Sequence, residues 1–319
     1  MNSRAWFSRA QTEGWAIGAF NVDNLEILKA ICIAAKNKKS PVMVEFSPGE
    51  VEYFGLRNII DLVENAREEY QVPILLNLDH GKKVEDCLAA INSAHLRGVK
   101  AHLGGDTGEL ESKHTSEVSG GSGLGGFDLI HYDGSDLPFE ENVENTKRVV
   151  EAVHQKGSLV EGEVDKIAGA SMLHGEEIDL EALRKSYTDS LKAARFVSQT
   201  GVDIMAAAFG NVHGIFPTQP DLDFELLGKI HQALPNTFLS LHGGSGIPAE
   251  QVRRAIEVGK IVKVNVNTEL RQEYRDALTE KLGENPNEYA MYKLMPDVIL
   301  AVAAVVEAKI EVFGSVGKV

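Results

Sequence analysis

Asp79 and His80 lie side by side where an apolar segment ends, and this pair is the first sign of chemistry in the 319-residue sequence. The segment 72–76 has the composition of a buried strand, and polar residues begin directly after it. His213 and His242 each follow another apolar segment of this kind. A carboxylate can accept a proton, and three neutral imidazoles suit Zn²⁺ while leaving positions open for substrate oxygens. These residues predict a metal-dependent catalytic site.

Polar residues also recur two positions apart at the ends of four predicted strands. They are Asn77 and Asp79, His131 and Asp133, Glu161 and Glu163, and Asn265 and Asn267. Side chains two apart on a strand point to the same face, so each pair is expected to face inward together. Carboxylates packed without partners are costly to bury, and a divalent cation with a polar substrate would compensate for that cost.

Two glycine-rich turns follow predicted strands, at 210–214 and at 242–246. Each places small residues and backbone N–H groups shortly before a predicted helix, an arrangement that suits a phosphate group. The segment 264–268 would complete the same anion site from the last predicted strand. The pattern therefore predicts a phosphorylated small-molecule substrate.

The elements that must position these residues alternate regularly along the chain. Strand-like segments begin near Ala16, Pro41, Pro73, Asp128, Leu159, Ile204, Thr237 and Ile261. Amphipathic helices are predicted at 24–37, 56–69, 83–93, 140–155, 191–200, 223–234 and 248–259, with further C-terminal helices at 269–282 and 296–313. Eight strands alternating with helices predict a parallel sheet closed into an α/β fold of the (β/α)₈ TIM-barrel type. In such barrels the carboxyl ends of the strands carry the site.

One connection is unusually long. Residues 94–125 separate the third predicted helix from the fourth strand and are rich in Gly, Ser, Thr and charge. This composition predicts a flexible insertion rather than a second domain, so we expect residues 1–319 to form a single barrel domain.

Composition and charge exclude several classes of protein. The formal net charge of −15 argues against a nucleic-acid partner, although backbone N–H groups can still bind a small phosphate. Residues 1–11 lack the apolar part of a secretion signal, and the longest apolar segment, 298–306, is too short to span a membrane. Cys32 and Cys87 both fall in predicted helices, so neither a disulfide nor a cysteine metal site is expected. We therefore expect a cytoplasmic protein with no membrane partner.

The sequence resembles the class II, metal-dependent fructose-bisphosphate aldolases and their ketose-bisphosphate relatives. The matching motifs occur in the family's order and cover nearly the whole chain outside 94–125. They are Gly18-Ala-Phe-Asn21, Leu78-Asp-His80, Asp133-Gly-Ser135, Glu161-Gly-Glu163, and the segments 210–214, 241–246 and 263–269. The resemblance implies a TIM barrel, a homodimer or homotetramer, and reversible cleavage of a ketose 1,6-bisphosphate into dihydroxyacetone phosphate and an aldehyde.

The resemblance also implies roles for individual residues. His80, His213 and His242 match the zinc ligands, while Asp133 and Glu163 match a second, inner position for a divalent or monovalent cation. Asp79 matches the acid/base at the C4 hydroxyl, with Asn265 and Glu177 in the other catalytic positions. The substrate-binding matches are Asn21, Ser47, Gly214, Gly243, Gly244, Ser245, Asn265, Asn267 and Thr268.

The chain departs from the family pattern where the sugar is recognised. Ile215-Phe-Pro-Thr-Gln219 replaces a segment that often carries a lysine. The loop after the fifth strand is altered, so Glu176 competes with Glu177 for the role of catalytic glutamate. His131 stands where an apolar residue is usual, and either a polar interior or a substrate contact would account for it. Fructose 1,6-bisphosphate is the expected substrate, with tagatose bisphosphate or another ketose phosphate as the alternative.

Two further alternatives remain open. Lys263 is predicted to point inward on the last strand, where a desolvated lysine could form a Schiff base with a ketone. That mechanism would leave the three histidines unexplained. A non-catalytic barrel that only binds sugar phosphate is the second alternative, and it would leave Asp79 without a purpose.

Overall fold

The computed structural model describes residues 1–93 and 126–319, and ten strands lie within these ranges. Eight of them are parallel and form a closed barrel in the order β1-β10-β9-β7-β5-β4-β3-β2. The barrel strands are β1 (Ile17–Asn21), β2 (Val42–Phe46), β3 (Ile74–Gly81), β4 (Leu129–Tyr132), β5 (Leu159–Glu163), β7 (Ile204–Ala206), β9 (Phe238–Leu241) and β10 (Ile261–Val266). The remaining strands, β6 (Gly169–Leu173) and β8 (His213–Ile215), pair in a separate small parallel sheet.

Twelve helices lie in the described ranges and surround or extend the barrel. They are α1 (Ser3–Glu13), α2 (Leu25–Lys38), α3 (Pro48–Phe54), α4 (Leu56–Tyr70), α5 (Val84–Asn92), α6 (Phe139–His154), α7 (Leu180–Lys185), α8 (Ser190–Thr200), α9 (Phe224–Ala233), α10 (Ala249–Gly259), α11 (Thr268–Glu284) and α12 (Met291–Val312). None of the helices in the described part of the chain is long and apolar enough to cross a membrane.

Local sequence signals explain where several helices begin. The side chains of Asn24, Asp189 and Asp223 accept hydrogen bonds from backbone N–H groups in the first turns of α2, α8 and α9. Such bonds satisfy donors that have no partner within the helix. Pro248 immediately precedes α10, where its fixed φ angle favours helix initiation.

The N-terminal helix α1 closes the bottom of the barrel. Its Trp6, Phe7 and Ala10 pack in one buried cluster with the first inward residues of the strands. Those strand residues are apolar and include Ile17, Met43, Leu75, Leu129, Leu159 and Ile204. The larger apolar core lies between the barrel and its surrounding helices. The bottom of the barrel is therefore an ordinary packed interior.

The barrel interior becomes polar toward the carboxyl ends of the strands. The fully buried residues of the middle layer are Glu45, Asn77, His131, Glu161, Ser240 and Lys263. Asn21, Asp79, Asp133, Glu163, His242 and Asn265 lie above them and are at most slightly exposed. Alternate residues of each strand point into the barrel. Those near the amino ends of the strands are apolar, and those near the carboxyl ends are polar.

The structure confirms the predicted barrel, its eight strands and the additional C-terminal helices. Three helices were not predicted: α1, α3 and α7. The sheet of β6 and β8 was also not predicted, because its strands are short and lack a sustained apolar pattern. His213 consequently begins β8 instead of directly ending a barrel strand. The proposed insertion at 94–125 lies outside the described residues.

Candidate active site and metal centre

The imidazoles of His80, His213 and His242 meet at the carboxyl end of the barrel. The ring centroids of His80 and His213 are 5.0 Å apart, those of His80 and His242 are 4.8 Å apart, and those of His213 and His242 are 5.9 Å apart. They come from β3, β8 and the end of β9, so the barrel and the small sheet must both form to bring them together.

The backbone of His80 is unusual. Its φ angle is 50°, in the left-handed region that residues other than glycine seldom adopt. The pairing of β3 with β4 shifts register between Leu78 and Gly81, around this residue. Strained residues of this kind concentrate at functional sites, and the ring of this one lies beside the other two imidazoles.

Carboxylates determine which ring nitrogens of His80 and His242 are free. His80 Nδ1 lies 2.7 Å from Asp133 Oδ2, and His242 Nε2 lies 2.9 Å from Glu161 Oε1. An ionised carboxylate only accepts hydrogen bonds, so each of these ring nitrogens carries the donated proton. The other nitrogens, His80 Nε2 and His242 Nδ1, face each other at 3.1 Å. Two facing lone pairs repel unless a proton or a metal ion lies between them, so this arrangement fits a bound cation.

The charge states of the three histidines follow from their surroundings. Burial, reinforced by neighbouring imidazoles, lowers the pKa of His213 to about 3. Burial also lowers the pKa of His242 to about 4 despite the attraction of Glu161. Burial opposes a charge on His80, but Asp79, Asp133 and Glu163 outweigh it and raise its pKa to about 10. His213 and His242 are thus neutral, and each can offer a nitrogen lone pair to a metal ion. The acidic surroundings of His80 favour the positively charged form of its ring.

Asp79 is held as a carboxylate at the edge of this cluster. Burial opposes its ionisation, but His80, His131 and Lys263 together lower its pKa well below the usual range. Its oxygens accept hydrogen bonds from Asn21 Nδ2 at 3.2 Å and from Asn265 Nδ2 at 3.3 Å. An ionised, oriented carboxylate in this position can accept a proton from a bound substrate.

A second group of possible ligands lies on the other side of His80. Three possible ligand atoms lie within 4.8 Å of one another: an oxygen of Asp133, an oxygen of Glu163 and a ring nitrogen of His80. Burial raises the pKa of Glu163 to about 8, and the charge of Asp133 adds to this effect. Lys82 Nζ lies 2.6 Å from Asp133 Oδ2 and partly balances the negative charge.

A fully buried ion-pair network supports the site from below. Lys263 Nζ lies 2.8 Å from Glu45 Oε1 and 2.8 Å from Glu161 Oε2. Glu45 in turn accepts hydrogen bonds from Asn77 and Asn265. Burial opposes the charge of Lys263, but both glutamates outweigh it and raise its pKa. A lysine held as an ammonium ion by two carboxylates is not a nucleophile, which argues against the Schiff-base alternative.

His131 belongs to the polar interior. Its ring is fully buried, with centroids 4.5 Å from the His80 ring and 5.0 Å from the His242 ring. His131 lines neither of the two cavities at this end of the barrel. A ring nitrogen of His131 also lies within 4.8 Å of possible ligand atoms of Asp79, His80 and His242. Of the two interpretations of this residue, the structure favours the polar interior over a substrate contact.

A small cavity that is partly open to solvent lies above the histidines. Its lining contains most of the predicted substrate-binding residues. They are Asn21, Gly214, Gly243, Ser245, Asn265, Asn267 and Thr268, together with Asp79, the three histidines and Ser171. Thr268 begins α11, whose N-terminal N–H groups favour a bound anion. Gly243 has a φ of 67°, and a Cβ there would lie 2.0 Å from the Val212 carbonyl oxygen, so only glycine fits this turn.

Three of the predicted catalytic and substrate-binding residues lie outside this cavity lining. Ser47 precedes α3, and its N–H donates to Glu50 at 2.6 Å. Glu177 is exposed and accepts a hydrogen bond from Thr218 at 3.0 Å. The N–H of Gly244 donates to the Asn265 carbonyl oxygen at 2.8 Å, so this residue closes the turn.

Sequence reasoning did not assign Ser171, Lys82 or Glu45 to the site. Ser171 reaches the cavity through the small sheet, which has no clear sequence signal. Lys82 follows Asp79-His80-Gly81, and its adjacency to this motif could have identified it. Glu45 is a lone acidic residue in an otherwise apolar strand, a signal that was available from the sequence.

Comparison with known proteins agrees with this geometry. The family described as class II fructose-bisphosphate aldolase matches residues 1–318. The chain is 37% identical to a fructose-bisphosphate aldolase of Streptococcus pneumoniae, covering 100% of this chain and 99% of the relative. It is 35% identical to a fructose-bisphosphate aldolase of Geobacillus stearothermophilus, covering 95% of this chain and 93% of the relative.

A solved aldolase structure is similar to this chain over nearly its whole length. The crystal structure of the YdjI aldolase from Escherichia coli K12 superposes with a TM-score of 0.75 at 30% identity, covering 99% of this chain and 97% of that one. The family match, the two relatives and this structure extend over nearly the whole chain and over every element that carries the site. The chain therefore belongs to the class II fructose-bisphosphate aldolase family and is an aldolase, an enzyme of the lyase class.

Proposed function

We propose that this aldolase reversibly cleaves fructose 1,6-bisphosphate into dihydroxyacetone phosphate and glyceraldehyde 3-phosphate. The observation that carries the proposal is the meeting of three imidazoles and the ionised Asp79 at one cavity. Members of the class II family are generally zinc-dependent, and the relatives named above are called fructose-bisphosphate aldolases. A phosphorylated sugar is the substrate class that the family implies.

The donor set supports zinc as the catalytic metal. We assign His80 Nε2 and His242 Nδ1, whose nitrogens lie 3.1 Å apart, as two of the ligands, and a nitrogen of the neutral His213 as the third. Three imidazoles with space for substrate oxygens are a typical catalytic zinc arrangement, and His80 would release its second ring proton when the metal binds. Bound there, zinc would act as a Lewis acid that polarises the substrate ketone and stabilises the enediolate.

Side chains of the protein would carry out the proton transfer. Asp79 takes the proton from the C4 hydroxyl, and the C3–C4 bond breaks to leave the aldehyde. The electron pair stays on C3, which then takes up a proton from a general acid to give dihydroxyacetone phosphate. Asn21 and Asn265 hold the Asp79 carboxylate in place through their amide groups. Asn265 Oδ1 is buried without a hydrogen-bond partner, so it is available to a substrate hydroxyl.

The phosphate of the dihydroxyacetone half would lie against the glycine turns. Gly214, Gly243 and Ser245 line the cavity beside the start of α11 at Thr268. Backbone N–H groups and a helix N-terminus bind phosphate without a basic side chain, which accords with the acidic charge of the protein.

Two further assignments rest on the family likeness. Glu177 is our candidate for the catalytic glutamate, and its exposed carboxylate would have to leave Thr218 to reach the cavity. Asp133 and Glu163 are candidates for a second cation position beside His80. We also propose a cytoplasmic homodimer or homotetramer, the assembly and compartment expected for this family.

The proposal is tested by a coupled assay of the metal-loaded protein. Fructose 1,6-bisphosphate should be cleaved with a higher kcat/KM than tagatose 1,6-bisphosphate, and EDTA should abolish turnover until Zn²⁺ is restored. Borohydride added with substrate should trap no lysine adduct, because Lys263 is held in ion pairs. A preference for tagatose 1,6-bisphosphate would revise the substrate, whereas EDTA-resistant turnover would overturn the metal mechanism.

A further inference from the structure

Glu50 is a buried acidic residue of α3 whose contacts reach toward Asp79. Its side chain is 7% exposed. Glu50 Oε2 accepts hydrogen bonds from the N–H of Ser47 at 2.6 Å and from Asn21 Nδ2 at 3.3 Å. The bond from Ser47 is part of a capping box at the start of α3. The bond from Asn21 has no role in the helix, so it calls for another explanation.

The amide nitrogen of Asn21 joins two acidic side chains. Asn21 Nδ2 donates to Glu50 Oε2 at 3.3 Å and to Asp79 Oδ2 at 3.2 Å. An amide nitrogen carries two protons, and these two acceptors use both of them. If the amide turned by half a rotation, its oxygen would face both acids. Glu50 therefore favours the orientation in which Asn21 presents a donor to Asp79.

Arg271 holds Glu50 from the opposite side. Arg271 Nη2 donates to Glu50 Oε1 at 2.8 Å, and the same guanidinium forms two hydrogen bonds to Asp23, at 2.7 and 2.8 Å. Arg271 belongs to α11, whose first residue, Thr268, lines the cavity. Both oxygens of Glu50 are thus fixed, and Glu50 connects α11 to the side chains around Asp79.

The contact with Asn21 does not depend on the charge of Glu50. Burial raises the pKa of Glu50 to about 8, and the neighbouring Asp23 adds to this effect. The hydrogen bond from Ser47 and the charge of Arg271 oppose it. A protonated carboxyl group still has one oxygen that only accepts, and Oε2, which faces two N–H donors, is that oxygen. Glu50 can therefore accept from Asn21 in both protonation states.

We propose that Glu50 is a positioning residue for the aldolase reaction, which acts through Asn21 to orient the Asp79 carboxylate toward the C4 hydroxyl. Asn21 holds one oxygen of Asp79, and Asn265 holds the other at 3.3 Å. An Asn21 amide that is free to turn would therefore let the carboxylate turn as well. The inference rests on the proposed function, in which Asp79 is the base.

The test is a double-mutant cycle between Glu50 and Asn21. Glu50→Met removes both acceptor oxygens but keeps a side chain of similar length. It should lower kcat by about 10–100-fold, the cost expected for a slightly misplaced catalytic group, with zinc content unchanged and KM within a few-fold. In an Asn21→Ala background the same substitution should cause little further loss, because its effect passes through Asn21.

The cycle distinguishes positioning from a structural role. If Glu50 only stabilised α3, Glu50→Met would lower kcat by the same factor in both backgrounds. Glu52→Met is the matched control, because Glu52 is exposed on the same helix, and this variant should keep the wild-type kcat.

A second measurement does not require Glu50→Met to fold. In wild-type protein labelled with ¹⁵N-asparagine, both Nδ2 protons of Asn21 should exchange slowly with solvent, since each is held by an acid. The signal of Asn21 is the one missing from the spectrum of Asn21→Ala.

The outcomes separate this inference from the proposed function. Wild-type kcat in Glu50→Met, equal losses in the two backgrounds, or rapid exchange of one Asn21 proton would overturn the role of Glu50 and leave the proposed function intact. Absence of zinc-dependent cleavage by the wild-type protein would overturn the proposed function itself.

Discussion

Glu161 and His242 are joined by a fully buried hydrogen bond of 2.9 Å at His242 Nε2. This bond leaves His242 Nδ1 as the free nitrogen, and Nδ1 is the atom that faces His80 Nε2. Lys263, paired with the other oxygen of Glu161, keeps the glutamate ionised so that it accepts the histidine proton. A chain of buried contacts in the barrel interior thus sets the tautomer of a candidate metal ligand.

Replacing Glu161 by Gln should weaken zinc binding. The amide loses the charge that strengthens the hydrogen bond to His242, and loss of such a supporting contact typically costs about 10–100-fold in metal affinity. Competition with a zinc-buffering chelator measures the change. Glu140→Gln serves as the control, since this glutamate is exposed on α6. Equal affinities of the two variants would show that Glu161 does not orient His242.

Replacing His213 or His242 by Ala should remove the catalytic metal and turnover together. Each substitution deletes one of the three proposed nitrogen ligands, and a catalytic zinc site with two remaining ligands binds weakly. Metal analysis after desalting and the cleavage assay provide the two readouts. His231→Ala is a suitable control, because His231 lies near the end of α9. Wild-type zinc content in either site variant would disprove the assignment.

Asp79→Ala should retain zinc and dihydroxyacetone phosphate binding but lose orders of magnitude in kcat. The carboxylate is assigned to proton transfer from the C4 hydroxyl, a contribution of about 10²–10⁴-fold for a general base. Asp86→Ala, on the exposed side of α5, should behave as wild type. Undiminished turnover, or loss of zinc along with activity, would count against this role.

Lys263→Met should destabilise the metal-free protein by about 3 to 5 kcal/mol, because it leaves the buried charges of Glu45 and Glu161 without their partner. The same substitution at Lys166, which pairs with Asp136 on the surface, should cost no more than about 1 kcal/mol. Urea denaturation monitored by circular dichroism compares the two. Similar midpoints would mean that the buried network contributes little to stability.

Joining Ser93 directly to Gly126, with 94–125 removed, should give a folded aldolase with kcat/KM within a few-fold of the wild-type value. The two ends of the deletion are the end of α5 and the start of β4, at the face of the barrel opposite the cavity. Circular dichroism, zinc content and the coupled assay are the measurements. A folded deletion variant without activity would show that the segment contributes to the active site.

Much of the fold was determined by sequence pattern alone. Eight apolar segments such as 72–76, alternating with amphipathic helices, already predicted the barrel, because burying one face of each element leaves few other solutions. Asp79, His80 and His242 could be recognised because polar residues at strand ends contradict the packing pattern around them. The alternation of side chains along a strand also placed His131 and Glu163 inside the barrel.

Tertiary structure decided the rest, because contacts between distant strands leave no local signal in the sequence. The left-handed backbone of His80, the small sheet that carries His213, and the pairing of Lys263 with Glu45 and Glu161 all depend on which strands become neighbours. Residue types predicted that a metal would bind, whereas three-dimensional packing determined which nitrogen and oxygen atoms are free to hold it.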